Sequence, residues 1–268
     1  MTDDRTTRSV GKARKRFDEE LHSEAYARVH ADNEQLQRLL SFLAPENDKV
    51  FLDLGTGNGY VGMSLAQQFP GCSVIGLDIA ERALQQNVER AKEEGLVNIR
   101  FQSFDGIELP FGDGCLDGLI CRYSFHHFPK YETMLNEISR TVCAGGRFVL
   151  SDPAKHEMDT TDFINSLQAL KRDGHVKIHE RPAFMALVER YGFEVLDSFD
   201  STMSFSRART LEYDELLDST PPSGLAAYGI KRDEERIWIT FEIMNLVFQK
   251  NPGDPNHGMQ TDARTSRR

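Results

Sequence analysis

The chain has 268 residues, of which 39% are hydrophobic, and a formal net charge of −10. This length allows one large domain, or one domain with an appended subdomain. Broad phosphate-binding surfaces need clustered Lys and Arg, so the negative charge predicts no nucleic-acid partner. No apolar run is long enough to span a bilayer and no apolar leader precedes the first helix, which predicts a cytoplasmic protein without a membrane span.

The two ends of the chain differ in composition from the rest. Residues 1–16 are charged and polar, and residues 251–268 are rich in Pro, Gly and Asn, as solvated tails are. The four cysteines form no C-x-x-C pair, which is typical of reduced cytosolic thiols and not of a zinc site, so we expect no metal. One domain is therefore expected over residues 17–250.

Between these ends, apolar residues recur at helical spacing in some segments and form continuous runs in others. In chain order this pattern predicts a helix over 33–43, a strand over 49–54, a helix over 59–69, a strand over 73–78, a helix from Ala80 that Gly95 ends, strands over 98–104 and 115–123, a helix from Tyr131 to Ile138, a strand over 146–152, helices over 163–170 and 184–191, a strand over 194–206, a short helix near 211–218, a turn at 221–224 and a strand over 236–248.

Strands that alternate with helices of this length predict right-handed crossovers and a parallel sheet with helices on both faces. The last two strands have no long helix between them, so we expect them to pair antiparallel. The predicted fold class is therefore α/β, a Rossmann-like sheet of seven strands in which the last strand is antiparallel.

The segment VFLDLGTGNGY at 50–60 joins a buried strand to a glycine-rich turn that contains Gly55, Gly57 and Gly59. In an open parallel sheet, ligands bind beyond the carboxyl ends of the strands, and glycine lets the backbone approach a ligand closely. Asp78 ends the second strand, where a carboxylate can accept hydrogen bonds from both hydroxyls of a ribose. The alternative role of Asp78 is to cap the helix that follows.

The order of acid and glycine separates two kinds of nucleotide cofactor. A dinucleotide site has the pattern G-x-G-x-x-G, whereas here Tyr60 stands where the last glycine would fall. Asp53, just before the turn, would repel a pyrophosphate and favour a cation. The sequence therefore predicts a positively charged nucleoside, and an NAD(P)-dependent oxidoreductase is the alternative.

D-x-G-x-G-x-G after the first strand, with Asp78 after the second, resembles the class I S-adenosylmethionine-dependent methyltransferases. Three further segments are similar to their small-molecule branch, called type 11 or UbiE-like: FDGIELPF (104–111), CLDGLICRYSFHHFP (115–129) and VCAGGRFVLSDP (142–153). The resemblance covers roughly residues 25–155. It implies S-adenosylmethionine as cofactor, an N-terminal helical lid over residues 17–47, and variable substrate-side insertions over 155–180 and 207–235.

The resemblance also implies how the glycine turn holds the cofactor. Asp53, Gly55 and Gly57 would line the methionine end, Gly59 would begin the next helix, and Asp78 would hold the ribose hydroxyls.

Four further residues receive roles from the resemblance. Asp105, beside Phe104, would accept a hydrogen bond from the adenine amine; the alternative is a cap on a turn. Arg122 would touch the cofactor through its backbone and meet substrate through its guanidinium, or form a surface ion pair. Tyr26 would lie over the cofactor as part of the lid, or make an ordinary contact of an amphipathic helix.

Two histidines are the candidate catalytic residues. Methyl transfer from a sulfonium is an in-line displacement, which needs a base only where the acceptor loses a proton. His126 and His127 follow the fourth strand at the mouth of the implied site, and a histidine pKa near ~6.5 suits a general base. Packing is their alternative role.

The expected partner is a small-molecule acceptor methylated on O, N or C, and the expected oligomeric state is a monomer or a homodimer. A relative that binds the cofactor without turnover is a further alternative.

Overall fold

The computed structural model describes residues 10, 11, 14 and 33–253. The rest of the expected tails, the expected lid up to residue 32 and Tyr26 lie outside the described residues. Helices and strands alternate along the described chain, as the sequence predicts. The helices are α1 (Asn33–Leu43), α2 (Tyr60–Gln68), α3 (Glu81–Glu93), α4 (Tyr131–Thr141), α5 (Phe163–Ala169), α6 (Arg181–Glu189), α7 (Leu211–Ser219) and α8 (Pro222–Ala227), with a 3₁₀ helix at Phe125–His127. The strands are β1 (Val50–Leu54), β2 (Ser73–Asp78), β3 (Ile99–Ser103), β4 (Leu116–Arg122), β5 (Val142–Pro153), β6 (Phe193–Ala208), β7 (Lys231–Arg232) and β8 (Arg236–Lys250).

The strands form one sheet with the order β3-β2-β1-β4-β5-β8-β6, and β7 pairs with β8. Strands β1 to β5 run parallel to one another, whereas β8 runs antiparallel to both β5 and β6. The predicted α/β fold with an antiparallel last strand is confirmed. The sheet has eight strands instead of the expected seven, because the two-residue β7 pairs with the first residues of β8. The strand order reverses between β1 and β4, so the ends of these two strands form the ligand-binding edge expected of such sheets.

One local prediction is wrong. A turn is expected at 221–224, but Pro222 begins α8. Proline suits the first turn of a helix because its fixed φ is helical and its missing N–H would have no partner there. The pattern Pro-Pro-Ser-Gly is typical of both structures, and only the packing of the following residues selects the helix.

The sheet has an apolar core on each face. On one face, the predicted apolar stripe of α1 is buried against Phe51 of β1, together with residues of α2. On the other face, α4 and α6 pack against alternate residues of the same strands, such as Leu52 and Leu54. Because side chains alternate along a strand, Asp53 points to the same face as Phe51, towards α2.

A third apolar cluster lies where β6 and β8 extend beyond the parallel strands. It contains residues of α5 and α7 with Tyr228 and the first half of β8. Asp159 is buried and its carboxylate accepts hydrogen bonds from the N–H groups of Phe163 and Ile164, the first residues of α5. The Tyr228 hydroxyl also donates to Asp159, with an oxygen–oxygen distance of 3.0 Å. One carboxylate therefore joins the two segments that connect β5 to β6 and β6 to β8.

Replacing Tyr228 by Phe should lower the free energy of unfolding by about 1–3 kcal/mol, because a buried carboxylate oxygen loses its hydroxyl donor. Urea unfolding measures this change, with Tyr131→Phe as a control at a half-buried tyrosine on α4. Equal stability of Tyr228→Phe and the native chain would contradict a role for this bond in holding the two segments together.

Candidate active site

The turn after β1 is built from glycines in a conformation that other residues rarely adopt. Gly55, Gly57 and Gly59 have φ angles of 74°, 51° and 76°. The N–H groups of Gly55 and Thr56 donate to the carbonyl of Leu77 at the end of β2. A Cβ atom at Gly55 would lie 2.0 Å from the Ser124 Oγ atom, so only glycine allows β1 and the segment after β4 to approach this closely.

Asp53 is buried at the end of β1 and closes the turn onto α2. Its Oδ2 atom accepts hydrogen bonds from the Thr56 hydroxyl, at 2.6 Å, and from the Gly62 N–H in α2, at 2.8 Å. Burial raises the pKa of this carboxyl to about 6, although the hydrogen bonds from Thr56 and Gly62 favour the charged form. The carboxylate is charged at neutral pH, and a cation beside it would stabilise it.

Asp78 joins the same turn to the start of α3. One of its oxygens accepts from the N–H of Gly57 at 2.8 Å and the other from the N–H of Ala80 at 3.0 Å. The capping role weighed as the alternative is therefore present. A carboxylate oxygen can accept more than one hydrogen bond, so the predicted contact with a ribose is compatible with this geometry and stays a prediction.

The segment after β3 places Phe104 and Asp105 beside Asp78. The Phe104 N–H donates to the Asp78 carbonyl, and its buried ring lies 6.5 Å from that of Phe128, between centroids. Asp105 is exposed, and its Oδ1 atom accepts from the N–H groups of Ile107 and Glu108. This is the turn cap considered in the sequence analysis, and the predicted contact with adenine stays a prediction.

A cleft opens at the reversal point of the sheet. Of the predicted cofactor residues, Asp53, Gly55, Gly57 and Arg122 line it directly, whereas Gly59, Asp78, Phe104 and Asp105 continue the same edge of the sheet. Its remaining lining residues, which the sequence analysis did not assign to the cofactor, are Thr56, Asn58, Tyr60, Val61 and Tyr123.

Arg122 is a buried residue of the cleft wall, so the surface ion pair weighed for it is wrong. Its Nε and Nη2 atoms both donate to the Gln35 side-chain oxygen, at 3.0 and 2.8 Å. The guanidinium carbon lies 4.4 Å from the centroid of the Tyr123 ring and 5.4 Å from that of Tyr60. Tyr123 has a φ of 55°, a strained conformation that is held at functional sites more often than elsewhere.

The two candidate catalytic histidines lie in the 3₁₀ helix after β4. The Nδ1 atom of His126 lies 2.9 Å from Oδ1 of Asp152, and the His126 N–H donates to Oδ2 of the same residue. The His126 and His127 rings are 4.1 Å apart between centroids. Burial lowers the pKa of His126 to about 3 and that of His127 well below its usual value, so both rings are neutral at physiological pH.

A third histidine joins this pair from the segment between α5 and α6. The His175 ring centroid lies 5.8 Å from that of His126, and the N–H groups of Val176 and Lys177 donate to the His126 carbonyl. The Nε2 atom of His175 lies 2.9 Å from the Asn165 side-chain oxygen, which also accepts from a backbone N–H. That oxygen is an acceptor, so Nε2 carries the proton of the neutral ring.

Three residues that contact the predicted ones, besides the lining residues already named, were not predicted. Asp152 ends the fifth strand, and an acid at that place is a signal that the sequence contained. Gln35 is polar within the apolar stripe of α1, which is a second usable signal. No signal in the sequence points to His175, because nothing relates the segment after α5 to the 3₁₀ helix.

No group of three or more His, Cys, Asp or Glu side chains within residues 33–253 is placed to hold a metal ion. None of the helices described is long and apolar enough to cross a bilayer.

Residues 45–200 match the model of a protein family described as "Methyltransferase domain", which is more than half of the chain. The chain is 30% identical over 151 residues to the uncharacterized methyltransferase YcgJ of Bacillus subtilis, which covers 56% of this chain and 59% of that protein. It is 34% identical over 120 residues to the demethylmenaquinone methyltransferase of Thermus thermophilus, which covers 45% of this chain and 54% of that protein. The chain therefore spans less than two thirds of the length of these relatives.

Solved structures share the fold. The crystal structure of YcgJ superposes with a TM-score of 0.71 at 20% identity, over 82% of this chain and 99% of that one. Geranyl diphosphate C-methyltransferase from Streptomyces coelicolor, solved with Mg²⁺, geranyl diphosphate and S-adenosyl-L-homocysteine, has a TM-score of 0.63 at 18% identity, over 85% of each chain. At these identities the similarity establishes the architecture alone.

Burial of the histidine cluster predicts that acid destabilises the protein. The pKa of His175 is lowered to about 3 in the folded chain by burial and by nearby His126, against about 6.5 when unfolded. Between these values the unfolded state binds more protons, so stability falls as pH falls. From pH 7 to pH 5 the native chain should lose up to about 2 kcal/mol more than His175→Gln, which does not titrate.

Urea unfolding at pH 7, 6 and 5 measures the difference, with His156→Gln as a control at a half-buried histidine between β5 and α5. Parallel pH curves for the native chain and His175→Gln would show that the His175 ring is not buried in its neutral form.

Proposed function

Because this chain belongs to the methyltransferase domain family, we propose that it transfers a methyl group from S-adenosylmethionine to O, N or C of a small molecule. The observation that carries the proposal is the turn after β1, where three glycines with positive φ adjoin the buried Asp53 carboxylate. Glycine admits a ligand close to the backbone, and the carboxylate favours a cation over a pyrophosphate. S-adenosylmethionine is a nucleoside that carries a positive charge.

The residues of the cleft fit this cofactor. The absence of a Cβ atom at Gly55 keeps the cleft open beside Ser124, and Asp78 stands at the end of the neighbouring strand, where a ribose would lie. We assign the methionine end to Asp53, Gly55 and Gly57, the start of α2 to Gly59, the ribose to Asp78, and the adenine to Phe104 and Asp105. The role assigned to Tyr26 concerns a residue outside the described part of the chain.

When bound, the cofactor supplies an electrophilic methyl group on a sulfonium. Catalysis by the chain then consists mainly of holding the acceptor in line with that group. An acceptor O–H or N–H must also lose its proton, and we assign this proton to the His126 ring, with His127 as its neighbour. Burial keeps the His126 ring neutral, and the contact of its Nδ1 atom with Asp152 fixes the orientation of the ring.

Several observations support a small acceptor. The relatives include enzymes named for demethylmenaquinone and geranyl diphosphate, both small molecules. Tyr123 lines the cleft and also packs against the apolar cluster formed by α5, α7 and β8. We therefore assign the segments 155–180 and 207–235 to the substrate side. The acidic chain favours such an acceptor over a nucleic acid, and the buried free thiols of Cys72 and Cys121 favour the cytoplasm as compartment.

Calorimetry with S-adenosylmethionine, S-adenosylhomocysteine and NAD tests the cofactor. We expect binding of the first two and none of NAD. Asp78→Ala and Gly55→Val should each weaken binding about tenfold or more, because one removes a charged acceptor and the other fills the cleft beside Ser124. Glu189→Ala, at an exposed residue of α6, is the control. Binding of NAD in place of S-adenosylmethionine would overturn the proposal in favour of an oxidoreductase.

The base is tested once methyl-labelled S-adenosylmethionine, screened against a metabolite library, has identified an acceptor. His126→Ala should then lower kcat by roughly 10²–10⁴-fold with little change in cofactor affinity. With the pKa of His126 lowered to about 3, the rate of the native chain should not fall through pH 6.5 on acidification. His127→Ala and the control Glu189→Ala are measured in parallel. Normal turnover by His126→Ala and His127→Ala would contradict the role of these histidines as a base. Cofactor binding without any labelled product would indicate a non-catalytic relative.

A further inference from the structure

The wall of the cleft carries two buried charged side chains of opposite sign. Asp53 ends β1 and Arg122 ends the neighbouring strand β4, and the exposed fractions of these residues are 1% and 7%. Both point to the α1 and α2 face of the sheet, since Asp53 binds Gly62 of α2 and Arg122 binds Gln35 of α1. Both residues line the same cleft. The cleft therefore carries one negative and one positive side chain in its wall, those of Asp53 and Arg122.

Contacts from two sides hold the Arg122 guanidinium in one orientation. The Gln35 side-chain oxygen accepts from Nε and Nη2 and also from the Tyr123 hydroxyl, at 3.0 Å. The rings of Tyr60 and Tyr123 lie within 5.4 and 4.4 Å of the guanidinium carbon. Gln35 is itself fixed, because its amide nitrogen donates to Ser201. A side chain held in this way loses little further freedom when it binds an anion.

We propose that the Arg122 guanidinium binds the carboxylate of the methionine part of S-adenosylmethionine, so that the cleft recognises a zwitterion. The inference rests on the proposed function and deepens it. The methionine part carries one ammonium and one carboxylate group, and the cleft supplies one carboxylate and one guanidinium. The sequence analysis gives Arg122 a backbone contact with the cofactor and a guanidinium contact with substrate, so a contact of the guanidinium with the cofactor is a further role.

The chemistry favours arginine over lysine at this position. A guanidinium is planar, so it can lie against the Tyr123 ring and pair with a carboxylate in a fork geometry. An ammonium at the same place keeps the charge and loses this geometry. Lysine should therefore restore only part of the affinity for the cofactor carboxylate.

The test compares S-adenosylmethionine with its decarboxylated form, which keeps the sulfonium, the ammonium and the nucleoside. Calorimetry should give a Kd for the native chain that is about 10–100-fold lower for S-adenosylmethionine. Arg122→Gln should reduce this preference to less than about threefold, by weakening S-adenosylmethionine while leaving the decarboxylated form nearly unchanged. Arg122→Lys should be intermediate. Arg190→Gln, which removes an equal charge from an exposed position, is the control and should keep the native preference.

A second variant does not remove the arginine. Gln35→Glu places a carboxylate against the guanidinium, at the atom that now accepts its two N–H groups, and should compete with the cofactor carboxylate. We expect it to lower the preference for S-adenosylmethionine about tenfold and to leave the binding of the decarboxylated form undiminished. This variant decides the question if Arg122→Gln does not fold.

The outcomes separate this inference from the proposed function. Failure of the native chain to bind S-adenosylmethionine would overturn the proposed function. Equal binding of the two ligands by the native chain, or a preference that survives in Arg122→Gln, would overturn the role of Arg122 alone. If Arg122→Gln keeps the native preference and raises only the KM of the acceptor, the guanidinium serves the acceptor and the inference is wrong.

Discussion

The site depends on the hydrogen bonds that the buried Asp53 carboxylate accepts. This carboxylate lies buried at the end of a central strand and accepts hydrogen bonds from Thr56 in the turn and from Gly62 in the following helix. A buried charge is costly unless such donors surround it, so the turn and the helix are fixed relative to the strand. The same carboxylate keeps a negative charge at the reversal point of the sheet. The Asp53 side chain therefore both fixes the turn and sets the preference of the cleft for a cation.

Close contacts also fix the turn after β1 relative to the neighbouring strands. Gly55 leaves no room for a side chain beside Ser124, so the turn after β1 and the segment after β4 must approach together. Asp78 binds the turn from the end of β2. On the helix side, Gln35 joins Arg122 to Ser201 of β6 and to Asn245 of β8. A rigid cleft with fixed charges is suited to hold reacting groups in line, which is the main requirement of methyl transfer.

Much of the fold follows from local patterns. The helix over 33–43 and the strand over 73–78 have the predicted bounds, because an apolar stripe and a short apolar run are signals that neighbouring residues alone produce. The turn at 221–224 fails because the same four residues suit a turn and a helix start. In the site, the glycine turn and the acid after the second strand were readable from spacing, since the order of strands in a parallel sheet brings their ends together. The contact of His175 with His126 was not readable, because it joins segments whose relative position is set by packing of the whole chain.

The sequence by itself determined the α/β architecture, the position of the glycine turn and the sign of the charge beside it, since each depends on residues close together in the chain. Only the tertiary structure decided how the polar side chains share their hydrogen bonds. It placed the turn cap at Asp105 and the helix cap at Asp78, buried Arg122 between two tyrosines, and made the histidines neutral through burial. Burial and hydrogen-bond partners come largely from segments distant in sequence, and they shift the pKa values of Asp53 and of the histidines and orient these side chains.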